Sequence, residues 1–235
     1  NLDFLVLNEG ELGFASIVGK LLSDGKDKLR DAPIDGCTFF TDGDKPVYGK
    51  PVGLTLDLGT LPSPILTGLL DEFLGAEFMP MIQTSRMCPY SCSFCASGHK
   101  SGKLRGFSED VVHDEIDYVA KKYRDYSHRM LYITDDNFGI NKRDSTIARH
   151  LVNAKETFGY PQQTFCYFDK RLTPTIQESA LLFADMNSGG LQLAVQSFNK
   201  DSLAAVKRRN MSDEDIGKAV IWAHSNGLKT SSELI

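Results

Sequence analysis

No apolar run in this 235-residue sequence approaches the roughly 20 residues that a membrane-spanning helix needs. A basic excess is also missing: 31 acids stand against 26 bases, a formal net charge of −5. That balance argues against a nucleic-acid binder, which would present a basic face. The apolar segment at Asn1 lacks a basic flank, so no secretory leader is expected. An initiator Met is absent, which suggests a processed chain or a segment. There is no short-period repeat and no low-complexity tract. These absences exclude membrane-helix, collagenous, disordered and nucleic-acid classes, so neither a membrane nor a nucleic acid is expected as partner. What is present is ordinary for a globular protein, with 41% apolar and 24% charged residues. The length fits one large domain, or a domain with an appendage, and buries a sizeable core without covalent staples.

Cysteine is scarce but patterned. Five cysteines occur, Cys37, Cys88, Cys92, Cys95 and Cys166, and an odd count argues against a disulfide framework. Three of them fall within eight residues, in Cys88-Pro89-Tyr90-Ser91-Cys92-Ser93-Phe94-Cys95. Clustering of this kind in a chain read as cytoplasmic points to a metal centre, not to disulfides. Cys37 and Cys166 lie outside the cluster and read as small buried hydrophobes.

Residues 1–79 differ from the remainder. Asn1–Leu7 reads as a buried strand, followed by a short apolar helix over Leu12–Leu22. Ser23–Asp35 is charged and loop-like. Cys37–Lys50 has the pattern of a hairpin turning at Thr41-Asp42-Gly43-Asp44, because Asp-Gly favours the tight turns that join antiparallel strands. Pro51–Pro64 reads as a linker, and Ile65–Leu74 as a helix.

From Pro80 the pattern becomes regular. Strands are expected at Met81–Arg86, Met130–Thr134, Gln163–Tyr167, Leu191–Val195 and Lys229–Ile235. Between them, apolar residues recur at helical spacing: Val112, Ile116, Val119 and Tyr123; then Ile147, Leu151, Ala154 and Phe158. Ile176, Ala180 and Phe183, and Ile216, Val220 and Ala223, continue the pattern over shorter spans. Caps agree with the periodicity. Ser108 precedes Glu109 and Asp110, Thr173 precedes Pro174, Ser212 precedes Asp215 by three, and Gly227 follows Asn226. Strand–helix alternation implies right-handed βαβ units and a parallel sheet, with ligands at the carboxyl ends of the strands.

The cysteine cluster directly follows the first strand of this array, at that face. An iron–sulfur cube takes four ligands, usually cysteine, and no fourth cysteine is local. One iron would then be open to a substrate or cofactor, which marks a chemical centre more than a structural one. Two other readings stay open. His99 follows Cys95 by four, so three cysteines and His99 could close a zinc site and make a zinc-stabilised interaction module. An electron-transfer cluster is the other, although its usual run of four closely spaced cysteines is missing.

C-x3-C-x2-C with aromatic Phe94 just before the last cysteine resembles the signature of the radical S-adenosylmethionine superfamily. Arg105-Gly106-Phe107-Ser108-Glu109-Asp110-Val111-Val112 resembles the stretch leading into the family's first barrel helix. Gln83-Thr84-Ser85-Arg86-Met87-Cys88-Pro89-Tyr90 resembles a subgroup with an N-terminal cobalamin-binding domain. Asn8-Glu9-Gly10-Glu11 resembles the last strand and turn of that domain, and Leu61-Pro62-Ser63-Pro64 its linker. The resemblance covers nearly the whole chain.

The implied fold is α/β: a partial (βα)6 parallel barrel, truncated after its fifth strand, with an N-terminal remnant of a Rossmann-like domain. Residues 1–22 would be the tail of a cobalamin-binding-like domain, 23–79 a hairpin and linker, and 80–235 the radical core. By resemblance, Cys88, Cys92 and Cys95 ligate a [4Fe–4S] cluster. S-adenosylmethionine chelates the open iron and is cleaved reductively to a 5′-deoxyadenosyl radical. Asp135, Asp136 and Asn137 take the place of the family's contact to the methionine amino group, which often runs Gly-Gly-Glu. Gln196 and Ser197 take the place of the ribose contact, and Phe94 flanks the cofactor. Cobalamin is implied by the subgroup, although most of its domain would lie outside the chain.

The expected partners are a small-molecule substrate and an electron donor such as flavodoxin or ferredoxin, and the expected compartment is the cytoplasm. Methyl transfer and radical oxidation or cyclisation are the two reactions the resemblance allows. Lys207-Arg208-Arg209 reads as a solvated basic stretch, and His113, His128, His150 and His224 as surface histidines. Tyr167 and Asp169 end the third strand and would face the substrate. No D-x-H-x-x-G segment occurs, and a sixth strand is missing, so a segment of a longer enzyme is expected.

Overall fold

The computed structural model describes residues 2–41, 43, 45–75, 78–97, 103–125, 130–187 and 189–234. The chain divides into two compact units, Asn1–Leu56 and Asp57–Ile235. Among the described residues, no helix is long and apolar enough to cross a membrane.

The first unit is a small antiparallel sheet with one helix. β1 (Leu5–Val6), β2 (Cys37–Phe40) and β3 (Pro46–Tyr48) pair in that order. The helix α1 (Gly10–Asp24) is longer than the apolar pattern implied. Ile17, Leu29, Ile34, Cys37 and Phe39 form its core. Cys37 is a buried small hydrophobe whose thiol reaches the Gly13 carbonyl at 3.3 Å. The expected buried strand over Asn1–Leu7 is corrected to two residues, with Leu5 largely exposed. The hairpin forms, and Thr41 N–H closes its loop onto the Lys45 carbonyl. Asp42 and Asp44 of its turn lie outside the described residues.

The second unit carries the parallel array. β4 (Met81–Ile82), β7 (Met130–Ile133) and β8 (Gln163–Phe165) form one three-stranded parallel sheet in that order. β9 (Leu191–Gln192) and β10 (Thr230–Ser231) form a second parallel pair. The helices are α2 (Glu109–Tyr123), α3 (Asp144–Phe158), α4 (Pro174–Leu182), α5 (Lys200–Ala205) and α6 (Asp213–Ser225). Val112, Ile116, Val119, Tyr123, Ile147 and Leu151 are all fully buried, so the apolar face read from spacing is the face that packs.

The caps form as their residues dictate. Ser108, Thr173 and Ser212 each accept a hydrogen bond from the backbone N–H three residues on, satisfying a donor that the helix start leaves open. At the end of α6, Gly227 takes a left-handed φ of 74°. Gly227 N–H then reaches the His224 carbonyl and Leu228 N–H the Ala223 carbonyl, the paired bonds of a Schellman stop.

Two expectations fail for local reasons. Ile65–Leu74 is a run of turns, not a helix, because Gly68 sits at φ 74° and breaks the right-handed path. Met81–Arg86 is not one strand. After β4 the Thr84 backbone N–H is taken by Asp135, and the chain turns so that β5 (Ser85–Arg86) pairs antiparallel with β6 (Arg105–Gly106).

Candidate active site at the carboxyl ends of the parallel strands

The segments that follow the strands meet around one cavity of about 610 Å3. Cys88, Cys92, Cys95, Phe94, Asp135, Asp136, Asn137 and Gln196 all line it. Eight of the nine singled-out positions are therefore brought together; Ser197 is not among the lining residues. Ser197 instead accepts from Asn199 N–H, in the turn that starts α5. Cys166 lies apart in the hydrophobic core, where burial holds its thiol well above the usual range.

The cysteine loop is anchored from three sides. Tyr90, between Cys88 and Cys92, donates its hydroxyl to buried Asp169 at 2.6 Å. Ser93 N–H donates to the Val206 carbonyl at 3.0 Å. Arg208 Nη1 lies 3.8 Å from Cys92 Sγ. Arg208 is itself held by the Ala194 carbonyl and by Asn210 Oδ1. Lys170 sits 3.8 Å over the Tyr90 ring. Desolvation, and then the nearby Arg208 charge, lower its pKa. Two cations thus stand at the cysteine loop, where they offset the negative charge that thiolate ligands bring.

The strand-end carboxylates divide their work. Asp135 is buried and accepts from Thr84 N–H, Thr84 Oγ1 and Ser85 Oγ at 2.7, 2.6 and 2.6 Å. It ties the end of β7 to the corner between β4 and β5. Burial raises its pKa, and those hydrogen bonds oppose the rise. Asp136 is exposed and accepts only from Ser97 Oγ, at 2.9 Å, among the described residues. Asn137 is 8% exposed, and its Nδ2 has no hydrogen-bond partner among the described residues. A buried amide donor without a partner costs on the order of 1–3 kcal/mol, which a ligand acceptor would recover.

Opposite them, Gln196 N–H donates to the Glu233 carbonyl at 2.7 Å, and Gln196 Nε2 lies 3.3 Å from the Glu233 carboxylate. Gln196, Met87 and Lys207 hold left-handed φ values of 66°, 80° and 54°. Each is a cavity residue or directly precedes one, Cys88 or Arg208. Backbone strain of this kind gathers at functional sites.

Sequence reasoning missed several of these residues. Arg208, in a basic stretch whose sequence reads as solvated, is half-buried beside Cys92. Asp169 turns to hold Tyr90 and Arg171, while Tyr167 does line the cavity. Glu233 carried no local signal. Tyr90 did, as an aromatic set between two candidate ligands. His113 is half-buried and stacks on His150 at 4.1 Å, so neither is a free surface histidine. His128 lies outside the described residues.

The donor set can be tested against the candidate metals. Among the described residues, no three Cys, His, Asp or Glu side chains converge tightly enough to hold a single ion. Tetrahedral zinc asks for sulfurs roughly 3.8 Å apart, given bonds of about 2.3 Å. A four-iron cube places each cysteine on a different iron and makes no such demand. His99, the closing ligand of a zinc reading, lies outside the described residues. Three free thiols, two cations and an orphaned amide around one cavity fit a cluster with a polar ligand beside it.

The family model of the radical SAM superfamily matches residues 82–235. The chain belongs to that superfamily, whose members carry a [4Fe–4S] cluster and use S-adenosylmethionine. It is 31% identical over 241 residues to a cobalamin-dependent radical SAM methyltransferase, TokK, of Streptomyces tokunonensis, covering 99% of this chain and 34% of that protein. It is 30% identical, over the same shares, to a 2-(S-pantetheinyl)-carbapenam-3-carboxylate methyltransferase of Streptantibioticus cattleyicolor. The solved structure of the cobalamin-dependent S-adenosylmethionine radical enzyme OxsB, with aqua-cobalamin and S-adenosylmethionine bound, superposes with a TM-score of 0.67. Its sequence identity is 17%, and the match covers 99% of this chain and 33% of that one. That likeness shows a shared α/β fold. The chain spans about a third of the length of the relatives it matches.

Proposed function

We propose that this chain carries the radical core of a cobalamin-associated enzyme that methylates a small-molecule substrate. The gathering of Cys88, Cys92 and Cys95 with Asn137 and Gln196 around one cavity carries the reading. The methyltransferase names of these two relatives favour methyl transfer over oxidation or cyclisation. In this reading residues 80–235 are a partial (βα)6 barrel, 23–79 a hairpin and linker, and 1–22 the tail of a cobalamin-binding-like domain.

Bound together, the cluster, S-adenosylmethionine and cobalamin supply a low-potential electron, a radical source and a methyl carrier. Cys88, Cys92 and Cys95 hold the cluster. Asp136, whose carboxylate has spare acceptor capacity, takes the methionine ammonium. Asn137 Nδ2 donates to the methionine carboxylate. Asp135 positions this turn without leaving its own bonds to Thr84 and Ser85. Gln196 and Glu233 face the ribose hydroxyls, with Ser197 supporting the turn behind them. Phe94, Tyr132 and Phe168 give the cavity an apolar wall. An electron donor of the flavodoxin or ferredoxin kind serves the cluster.

The test uses the full-length enzyme, reconstituted with cluster and cobalamin and given methyl-labelled S-adenosylmethionine with candidate small-molecule acceptors. Labelled product that disappears in Cys92→Ala supports the reading. Release of 5′-deoxyadenosine with an oxidised, unlabelled product would replace methyl transfer by oxidation.

A further inference from the structure

A second cavity, of about 1400 Å3, adjoins the first. Pro89, Tyr90 and Ser91, which link Cys88 to Cys92, line it together with residues of α5, α6 and the segment between them. Seven cationic side chains line it against one carboxylate, Asp215, which is already engaged by Ser212 Oγ at 2.7 Å. Arg171 and Lys218 have acidic partners in Asp169 and Glu214. Lys200, Lys207 and Arg209 are exposed and have none among the described residues. This is a local concentration of positive charge on a chain whose net charge is −5. Tyr90, Lys170 and Arg208 line both cavities, so these side chains stand between the groove and the cavity that the three cysteines line.

We propose that this groove docks an acidic one-electron carrier protein and is the point where electrons enter. The proposal rests on the reading that Cys88, Cys92 and Cys95 hold a cluster. In the step it serves, one electron leaves the reduced carrier and enters the cluster, and no bond forms or breaks. Unpaired, solvated cations give long-range attraction and fast encounter more than tight binding. Electron-transfer partners meet through small, weak interfaces, and exposed lysines suit that need. Leu203, Met211 and Trp222 supply an apolar floor against which the carrier's edge can rest.

The experiment measures binding of oxidised flavodoxin, an acidic flavoprotein, to the full-length protein at low ionic strength. The triple variant Lys200→Glu, Lys207→Glu, Arg209→Glu is expected to weaken binding at least about tenfold and to flatten its salt dependence. Cluster reduction by reduced flavodoxin should slow to match, while reduction by dithionite and iron content stay unchanged. Equal binding by variant and wild type, or no binding by an iron-loaded wild type, overturns the docking surface. Should the triple variant lose dithionite reduction as well, Lys200→Ala and Arg209→Ala read the same binding, and affinity equal to that of the wild type overturns the docking surface. Charge-dependent binding by a wild type that takes up no iron would sink the cluster reading, and with it the groove's role in electron entry.

Discussion

The two halves of the parallel array are built to different depths. β4, β7 and β8 form one three-stranded sheet, and the inward residues of α2 and α3 are sealed from solvent. β9 and β10 form a separate two-stranded pair, and Ile216 and Val220 of α6 are partly buried. The deep half supplies the cysteine loop, Asp135 and Asn137. The shallow half supplies Gln196, Arg208 and Glu233, held by a few hydrogen bonds each, with left-handed backbone at Gln196 and at Lys207 just before Arg208. The difference teaches that ligand-bearing segments hang from the better-packed half. The rim that closes on them is positioned bond by bond.

The sharpest way to break this comparison is in the cores. Leu131→Ala on β7 should cost about 3 kcal/mol, because a fully buried leucine leaves a cavity. Ile216→Ala on α6 should cost about 1 kcal/mol, since that side chain is only partly buried. Urea unfolding midpoints check both, and equal losses would erase the distinction.

A second contrast is electrostatic and belongs to the deep half alone. Burial pushes the Asp144 carboxyl up to about 6, although Gly139 and Asn141 N–H groups bond it. Between about pH 4 and 6 the folded chain keeps this proton while the unfolded chain has lost it. Stability therefore falls as pH rises through that window, by up to about 3 kcal/mol. Asp144→Asn should flatten the profile between pH 4 and 7, measured as melting temperature against pH. An unchanged slope would place the effect elsewhere.

The smallest effect is expected at the rim. Gln196→Gly relieves a left-handed φ of 66° but loses the contact to Glu233, so the net change in stability should stay under about 1 kcal/mol. A loss above about 2 kcal/mol, read by denaturant unfolding, would mean that the shallow half carries more of the fold than its burial indicates.

The same contrast explains what was legible in the sequence. Val112, Ile116, Val119 and Tyr123 announce α2 because every fourth or third residue must be apolar where burial is complete. The Ser108, Thr173 and Ser212 caps were readable because capping is local. The cysteine loop was readable because its three ligands lie close together in the chain. Arg208, Lys170 and Glu233 were not, since their places at the cavity depend on which strand ends topology brings together. The break in Met81–Arg86 escaped notice for the same reason: it is enforced by Asp135, 51 residues from Thr84.

Anaerobic reconstitution of the full-length protein with iron and sulfide, followed by metal analysis and absorption spectroscopy with and without S-adenosylmethionine, tests the central claim most directly. About four irons per chain at Cys88, Cys92 and Cys95 are predicted, with a spectrum that S-adenosylmethionine perturbs. Each cysteine-to-alanine substitution should lose that cluster. Stoichiometric zinc in place of iron, or full iron content in the Cys92→Ala variant, would contradict it.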